Sequence, residues 1–173
     1  MVKRAAVAVM TVLCTAGLAS AQDAMIASIK AQHDMIKSNL VKSAAKVTEA
    51  DYAFKPTPEV RSFGELVGHV ANASYMICAA ALGEKSPVAG NIEKTVTGKA
   101  ALEKALGEAI AYCDGAFAKL TPTTAGEEIK FFTGPTPRLG VLSFNNAHNM
   151  EHYGNMVTYM RLKGIVPPSS EGR

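Results

Sequence analysis

The sequence predicts an all-α protein, a four-helix bundle in a single domain. Three observations lead to this prediction. Four stretches carry apolar residues at helical spacing, prolines and glycines gather in the segments between them, and the chain shows neither an internal repeat nor a low-complexity tract.

The first 21 residues are predicted to be a secretory signal peptide. Lys3 and Arg4 provide a positive start, residues 5–18 form an apolar run, and Ala19-Ser20-Ala21 is a small-residue cleavage site. The apolar run is too short for a comfortable membrane span. The mature domain is therefore expected at residues 22–173, exported to the periplasm or beyond the cell, with no membrane anchor left after cleavage.

Composition excludes one class of partner. Removing residues 1–21 takes away two cations and no anion, so the net charge falls from +3 to +1. The remaining 152 residues are enough for one well-formed core, but they contain no cluster of Lys and Arg with interleaved aromatic residues. We therefore expect no nucleic-acid binding and a small-molecule substrate of unknown identity.

The first two helices have clear sequence signals. Residues 23–47 place apolar side chains at alternating steps of three and four, as on a bundle helix, and His33 falls within that seam. The second helix is predicted to begin after Ser62, which forms a capping box with Glu65, and to end at Gly83. Residues 84–96 are predicted to be a loop.

The last two helices are separated by a long connection. The third is expected over residues 99–120, and the connection at 121–136 allows a short extended piece around 129–132. The last helix is expected to begin at Thr136-Pro137, as N-cap and first turn, and to end near Lys163. It is apolar on two sides and should pack between neighbours.

Two cysteines remain after export, and their state is open from the sequence. Cys78 and Cys113 can pair in an oxidising compartment if their Cα atoms come within about 7 Å. The interpretation we favour is two buried free thiols, because cysteine packs as a small hydrophobe. The absence of C-x-x-C spacing argues against a cysteine metal site.

The histidines predict a metal site. His148 and His152 are four residues apart on a helix, so both imidazoles lie on one side and can bind one ion at about 2.0–2.1 Å. His69 borders the apolar stripe of the second helix and faces partly inward. A set of hydrogen-bonded core histidines is the alternative. Three imidazoles suit several divalent ions, of which zinc and nickel are expected first.

Other residues are candidates for the surroundings of the ion. His33 is expected to be a core histidine or an outer partner that orients a ligand, and less readily a fourth ligand. A substrate pocket is expected to be lined by His33, Met76 and Phe144, with Phe131 or Phe132 from the long connection.

Two segments resemble the signatures of a known family, the DinB-like superfamily. The first covers residues 52–70, from Tyr52-Ala53-Phe54-Lys55-Pro56 through Ser62-Phe63-Gly64-Glu65 to His69-Val70. The second is His148-Asn149-Met150-Glu151-His152-Tyr153-Gly154, followed by Tyr159-Met160-Arg161-Leu162-Lys163-Gly164 and Pro167-Pro168. They stand in the family's order and spacing.

This resemblance implies a four-helix bundle with long crossover connections and a metal held by His69, His148 and His152. It also implies a metal-dependent enzyme, since some relatives transfer low-molecular-weight thiols, and a homodimer. Most relatives lack an export signal and work in the cytoplasm, where reduced thiol cofactors are abundant. The predicted export of this chain departs from that pattern. We therefore expect a hydrolase or a thiol transferase. The alternatives are a non-catalytic bundle that binds a metal or small ligand, and a helical scaffold without metal.

Overall fold

The structure is a computed structural model that describes residues 2–172, with side chains described for residues 21–172. Of the predicted signal peptide, residues 1–21, only the last side chain is among those described, and the signal peptide stays a prediction. The helices are α1 (Val2–Lys46), α2 (Phe63–Leu82), α3 (Ile92–Thr95), α4 (Lys99–Ala118), α5 (Pro122–Ala125) and α6 (Arg138–Leu162), and the strands are β1 (Glu128–Phe131) and β2 (Gly134–Pro137).

The four long helices, α1, α2, α4 and α6, form a bundle. Helix α2 packs against both α4 and α6, and α1 packs against the same two helices from the other side. The helices therefore follow one another around the bundle as α1, α4, α2 and α6, with α1 and α2 at diagonal corners. The all-α prediction is confirmed. Among the residues that the structure describes, no helix is both long and apolar enough to span a membrane.

Helix α2 begins and ends where the sequence predicts. The Ser62 hydroxyl accepts a hydrogen bond from the Glu65 N–H at 3.1 Å, and the Glu65 carboxylate accepts one from the Ser62 N–H at 2.7 Å. These two bonds satisfy backbone donors that the first turn leaves unpaired. Gly83 ends the helix with φ 73°, a left-handed conformation that costs glycine little. The register of α2 is thus fixed at both ends.

Two connections contain more structure than predicted. The loop at residues 84–96 holds α3, which packs against α2. The later connection ends in an antiparallel hairpin in which Ile129 pairs with Thr136 and Phe131 with Gly134. The prediction that Thr136-Pro137 opens the last helix is wrong, because these residues finish β2. Arg138 begins α6, and its N–H donates to the Glu127 carbonyl across the hairpin at 2.8 Å.

The two cysteines form a disulfide bond, so the favoured interpretation of two free thiols is wrong. Cys78 on α2 and Cys113 on α4 have Cα atoms 5.3 Å apart, and both residues are buried. Helices α2 and α4 pack closely along their length, which brings two residues 35 positions apart into bonding distance. The bridge thus joins two neighbouring helices of the bundle.

Candidate metal centre

Helix α6 carries two of the three predicted ligands. His148 and His152 lie four residues apart in its middle, so their side chains leave the same side of the helix. Their ring centroids are 4.5 Å apart. His152 is buried, whereas His148 keeps part of its surface accessible to solvent. The H-x-x-x-H spacing therefore brings the two imidazoles together.

The third predicted ligand, His69, comes from α2. Its ring centroid lies 5.2 Å from that of His148 and 4.6 Å from that of His152. The Nε2 atoms of His69 and His148 are 3.2 Å apart, and one nitrogen from each of the three rings lies within 4.8 Å of the others. Two nitrogens bound tetrahedrally to one zinc ion at about 2.0–2.1 Å are about 3.3 Å apart. The three rings are thus close enough to hold a single ion.

Each ring turns its other nitrogen, Nδ1, toward a polar side chain. Such partners fix the orientation and tautomer of histidine ligands. The pairs are His69 with Glu93 Oε2 at 3.0 Å, His148 with Asn149 Oδ1 at 3.3 Å, and His152 with Asn155 Nδ2 at 3.3 Å. A half-turn of the Asn155 amide would present its oxygen as the acceptor of an Nδ1–H. Nε2 is then the atom of each ring that is left to bind an ion.

Glu93 is the site residue that the sequence did not reveal. It lies in α3, whose four residues are too few to show a helical period. Its side chain accepts hydrogen bonds from Arg61 Nε at 3.1 Å and Lys94 Nζ at 3.2 Å. Burial raises the pKa of Glu93, but the hydrogen bonds from Arg61, Lys94 and His69 outweigh burial and hold the pKa below its ordinary value. An ionised Glu93 favours the His69 tautomer whose Nε2 is free to bind metal.

The glycine next to His69 allows α3 to approach α2 closely. A Cβ atom placed on Gly68 would lie 2.9 Å from Cα of Glu93, closer than such atoms approach in proteins. Asn72 adds a second tie, because its Oδ1 accepts a hydrogen bond from the Ile92 N–H at 3.2 Å. These two contacts hold α3 against α2 on either side of His69 in the sequence. They thereby place the Glu93 carboxylate next to Nδ1 of His69.

We expect the Glu93→Gln variant to bind zinc about 10–100-fold more weakly than the wild type, the usual cost of losing an outer partner of a ligand. The amide keeps the size of the side chain but removes the charge that orients His69. A competition titration against a chromophoric chelator measures the change. Glu65→Gln is the matched control, since this carboxylate also faces Lys94 but caps α2. Equal affinities for Glu93→Gln and wild type would show that the carboxylate does not support the site.

Burial keeps the α6 histidines neutral. Desolvation lowers the pKa of His148, and desolvation together with the two neighbouring rings lowers the pKa of His152 to about 4. Neutral imidazole is the form that binds a metal, so neither ring has to lose a proton at neutral pH. Two α6 imidazoles that are held uncharged suit a cation better than a proton.

The same shift predicts how the metal-free protein responds to acid. The folded pKa of His152 lies below its ordinary unfolded value of about 6.5, so the unfolded state binds the proton first. The free energy of unfolding should therefore fall as the pH drops from about 6.5 toward 4, by about 3 kcal/mol from this residue. Urea titrations across that range measure the change. His152→Asn should flatten the dependence, and an equally steep dependence in that variant would contradict the assignment.

His33 is not brought to the other three histidines. It is buried between α1 and α4, where its ring stacks on Phe117 at 3.9 Å and its Nε2 lies 2.7 Å from Asp114 Oδ1. The α1/α4 seam lies across the bundle from the α2/α6 seam. His33 is therefore a core histidine, with a carboxylate as its partner, and it neither ligates the same ion nor orients a ligand.

Met76 and Phe144 lie along the groove between α2 and α6. Phe144 is one turn before His148, and the two ring centroids are 6.4 Å apart. The antiparallel helices pair Ser74 with Asn149 and the Ala81 carbonyl with Arg138, which puts Met76 at about the level of Phe144. Both side chains are partly exposed. Of the three residues proposed for a substrate pocket, these two lie near the histidines and His33 does not.

A cavity of about 700 Å³ lies at the other end of this groove. It is lined by Glu93 and Asn155, the partners of His69 and His152, and by the segment 55–61 and Tyr159. None of the residues predicted to line a pocket faces this cavity. Several of its charged side chains are paired, among them Lys55 with Glu65 and Arg61 with Glu93. The groove is thus polar at one end and apolar at the other, with the histidines between.

Comparison with solved structures shows the same fold in several proteins. A DinB-like protein from Bacillus subtilis has a TM-score of 0.67 at 21% sequence identity, over 84% of this chain and 99% of that one. A DinB-like protein from Bacillus cereus has a TM-score of 0.67 at 17% identity, over 77% and 89%. The mycothiol-dependent maleylpyruvate isomerase has a TM-score of 0.62 at 17% identity, over 76% of this chain and 60% of its own.

Sequence comparison assigns the family. A search of curated protein sequences finds no match. The family model for the DinB superfamily matches residues 32–156, which cover most of the bundle and all three clustered histidines. The chain belongs to the DinB superfamily.

Proposed function

We propose that this protein holds one divalent metal ion, zinc or nickel, between His69, His148 and His152, and that the ion serves hydrolysis of a small molecule. The observation that carries the proposal is the convergence of three imidazoles from two helices, with ring nitrogens within 4.8 Å of one another. Bound there, such an ion supplies a Lewis acid that activates water or a thiol.

The ligand set favours a catalytic over a structural site. Structural zinc sites are usually closed by four protein ligands, whereas catalytic sites keep an open position beside three. His33, the fourth histidine of the chain, lies in the α1/α4 seam and leaves the set at three histidines among the side chains described at residues 21–172. Partial exposure of His69 and His148 leaves a path for a small molecule. A non-catalytic binding protein is the alternative if no turnover accompanies metal.

We also propose that the protein is exported, and the disulfide supports this. Disulfides persist in oxidising compartments and are rare in the cytoplasm, and the buried bridge between Cys78 and Cys113 fits a protein sent out by a signal at residues 1–21. A low-molecular-weight thiol is scarcer there than in the cytoplasm, which favours hydrolysis. We also propose that the protein forms a homodimer, and the support for this is its resemblance to the family.

Thiol transfer is the second candidate, because the fold is shared with an isomerase described as mycothiol-dependent. In either reaction the residues of this chain have the same tasks. Glu93 orients His69, Arg61 and Lys94 keep Glu93 ionised, and the Tyr159 hydroxyl donates to the Arg61 carbonyl at 2.8 Å, which holds the segment at the mouth of the cavity.

Metal analysis of protein purified without a polyhistidine tag tests the proposal. We expect about one equivalent of zinc or nickel per chain, and esters, amides and thiol-transfer substrates can then be screened on the loaded protein. Turnover of esters or amides supports hydrolysis, and turnover only with an added thiol supports transfer. Substoichiometric metal, with a thermal stability that chelation does not change, would remove the basis for both.

A further inference from the structure

We propose that Phe131, Phe132 and Phe144, here called the aromatic cluster, together with Met76 form an apolar subsite for the substrate of the metal centre. The substrate would then carry an aromatic or similarly bulky apolar group on one side of its reacting bond and a polar group on the other. This inference rests on the function proposed above and adds the class of substrate to it.

The cluster is continuous with the histidines. The Phe132 and Phe144 ring centroids are 5.5 Å apart, the Phe131 ring lies 4.2 Å from Phe132, and Phe144 is 6.4 Å from His148. The rings therefore lead from the tip of the hairpin to the metal-facing side of α6. A molecule bound through the ion would reach them directly.

Two rings of the cluster are exposed although they are strongly apolar, and they pack over the buried ring of Phe131. Phe132 is 63% exposed, Phe144 is 40% exposed, and Met76 on the facing helix is 44% exposed. Single exposed apolar side chains are common, but a group of them beside polar residues marks a binding site. The opposite end of the groove is the polar cavity, so the two ends together suit an amphipathic small molecule.

The backbone at Phe132 is held in an unfavourable conformation. Its φ is 45°, and among the non-glycine residues of the described chain it alone has a positive φ. It occupies the first position of the two-residue turn between Phe131 and Gly134, where a positive φ favours glycine. A phenylalanine here strains the turn and exposes a ring to water, neither of which helps folding. Strain of this kind is characteristic of functional positions.

The size of the cluster favours a small molecule over a second protein. A phenylalanine side chain can contribute at most about 150–250 Å². Two partly exposed rings therefore offer far less than the roughly 800 Å² per partner of a stable protein interface. A ring-sized substituent is sufficient to cover them.

Binding of two metal-chelating probes to the zinc-loaded protein tests the inference. Acetohydroxamate and benzohydroxamate share the chelating group and differ in the ring. We expect the wild type to prefer benzohydroxamate by about tenfold, the effect of about 1.4 kcal/mol from contact with the cluster. Phe132→Gly and Phe144→Ala should each remove most of this preference while zinc affinity stays unchanged. Calorimetric titration gives both affinities.

Two controls separate the possible outcomes. Leu162→Ser removes another exposed apolar side chain of α6, far from the histidines, and should leave the preference intact. Phe132→Gly relieves the turn and should melt at or above the wild-type temperature, so a lost preference would not reflect misfolding. An unchanged preference in both phenylalanine variants overturns the inference. So does a dimer that Phe132→Gly converts to monomer in sedimentation. Failure of the wild type to bind zinc overturns the proposed function itself, and is seen before any probe is added.

Discussion

Replacing His148 with alanine should weaken zinc binding by more than about 100-fold, beyond the 10–100-fold cost of losing an outer partner. The variant keeps only two imidazoles of a site in which the three rings lie within 4.5–5.2 Å of one another. Folding should be affected little. His148 is only partly buried, its ring stands close to two others, and alanine is the best helix former.

Thermal unfolding with and without zinc measures this effect. A ligand present at 100 times its Kd stabilises the folded state by about 2.7 kcal/mol. For a domain of this size that corresponds to a rise in Tm of about 5–10 °C. The wild type should show this rise and His148→Ala should not, while the two metal-free proteins should melt within a few degrees of each other.

His33→Ala is the control for this experiment, because it removes a histidine from the opposite seam of the bundle. We expect it to bind zinc as the wild type does, even though loss of the stack on Phe117 lowers its stability. Zinc affinity that survives in His148→Ala, or disappears in His33→Ala, would contradict the assignment of the ligands.

The second large effect concerns the disulfide. Replacing both Cys78 and Cys113 with alanine should lower the free energy of unfolding by about 3–4 kcal/mol, because the bridge closes a loop between residues 35 positions apart and constrains the unfolded chain. Both positions are buried, so the smaller side chains add a packing cost. Urea denaturation of the metal-free proteins at pH 7 measures the difference.

Reduction provides the matched comparison. A non-thiol reductant should destabilise the wild type by a similar amount and leave the double alanine variant unaffected. If the oxidised wild type and the variant unfold at the same urea concentration, the bridge contributes nothing to stability.

Local signals were sufficient to predict the bundle and the three clustered histidines. Ser62, Glu65 and Gly83 bound α2 through short-range hydrogen bonds and a left-handed residue, and such interactions are visible in sequence. His148 and His152 follow from helical spacing alone. His69 follows from its place at the border of the apolar stripe of α2, and the resemblance to the family supports its meeting with the other two histidines, since local signals do not state which helices become neighbours.

The features that sequence did not reveal depend on contacts between distant segments. Glu93 reaches His69 only because Gly68 and Asn72 allow a four-residue helix to pack against α2. The disulfide depends on how closely α2 and α4 pack. Thr136-Pro137 has the residue types of a helix start, but pairing with β1 extends the backbone there. His33 has the same side chain as the three clustered histidines, but it lies between α1 and α4, whereas they lie between α2 and α6.

The most direct test is an anomalous diffraction measurement at the zinc edge, on crystals of the zinc-loaded, untagged protein. A single strong peak per chain should lie about 2.0–2.1 Å from Nε2 of His69, His148 and His152, with Nδ1 of His69 still facing Glu93. A peak at any other place on the chain, or zinc held by fewer than these three rings, would contradict the account.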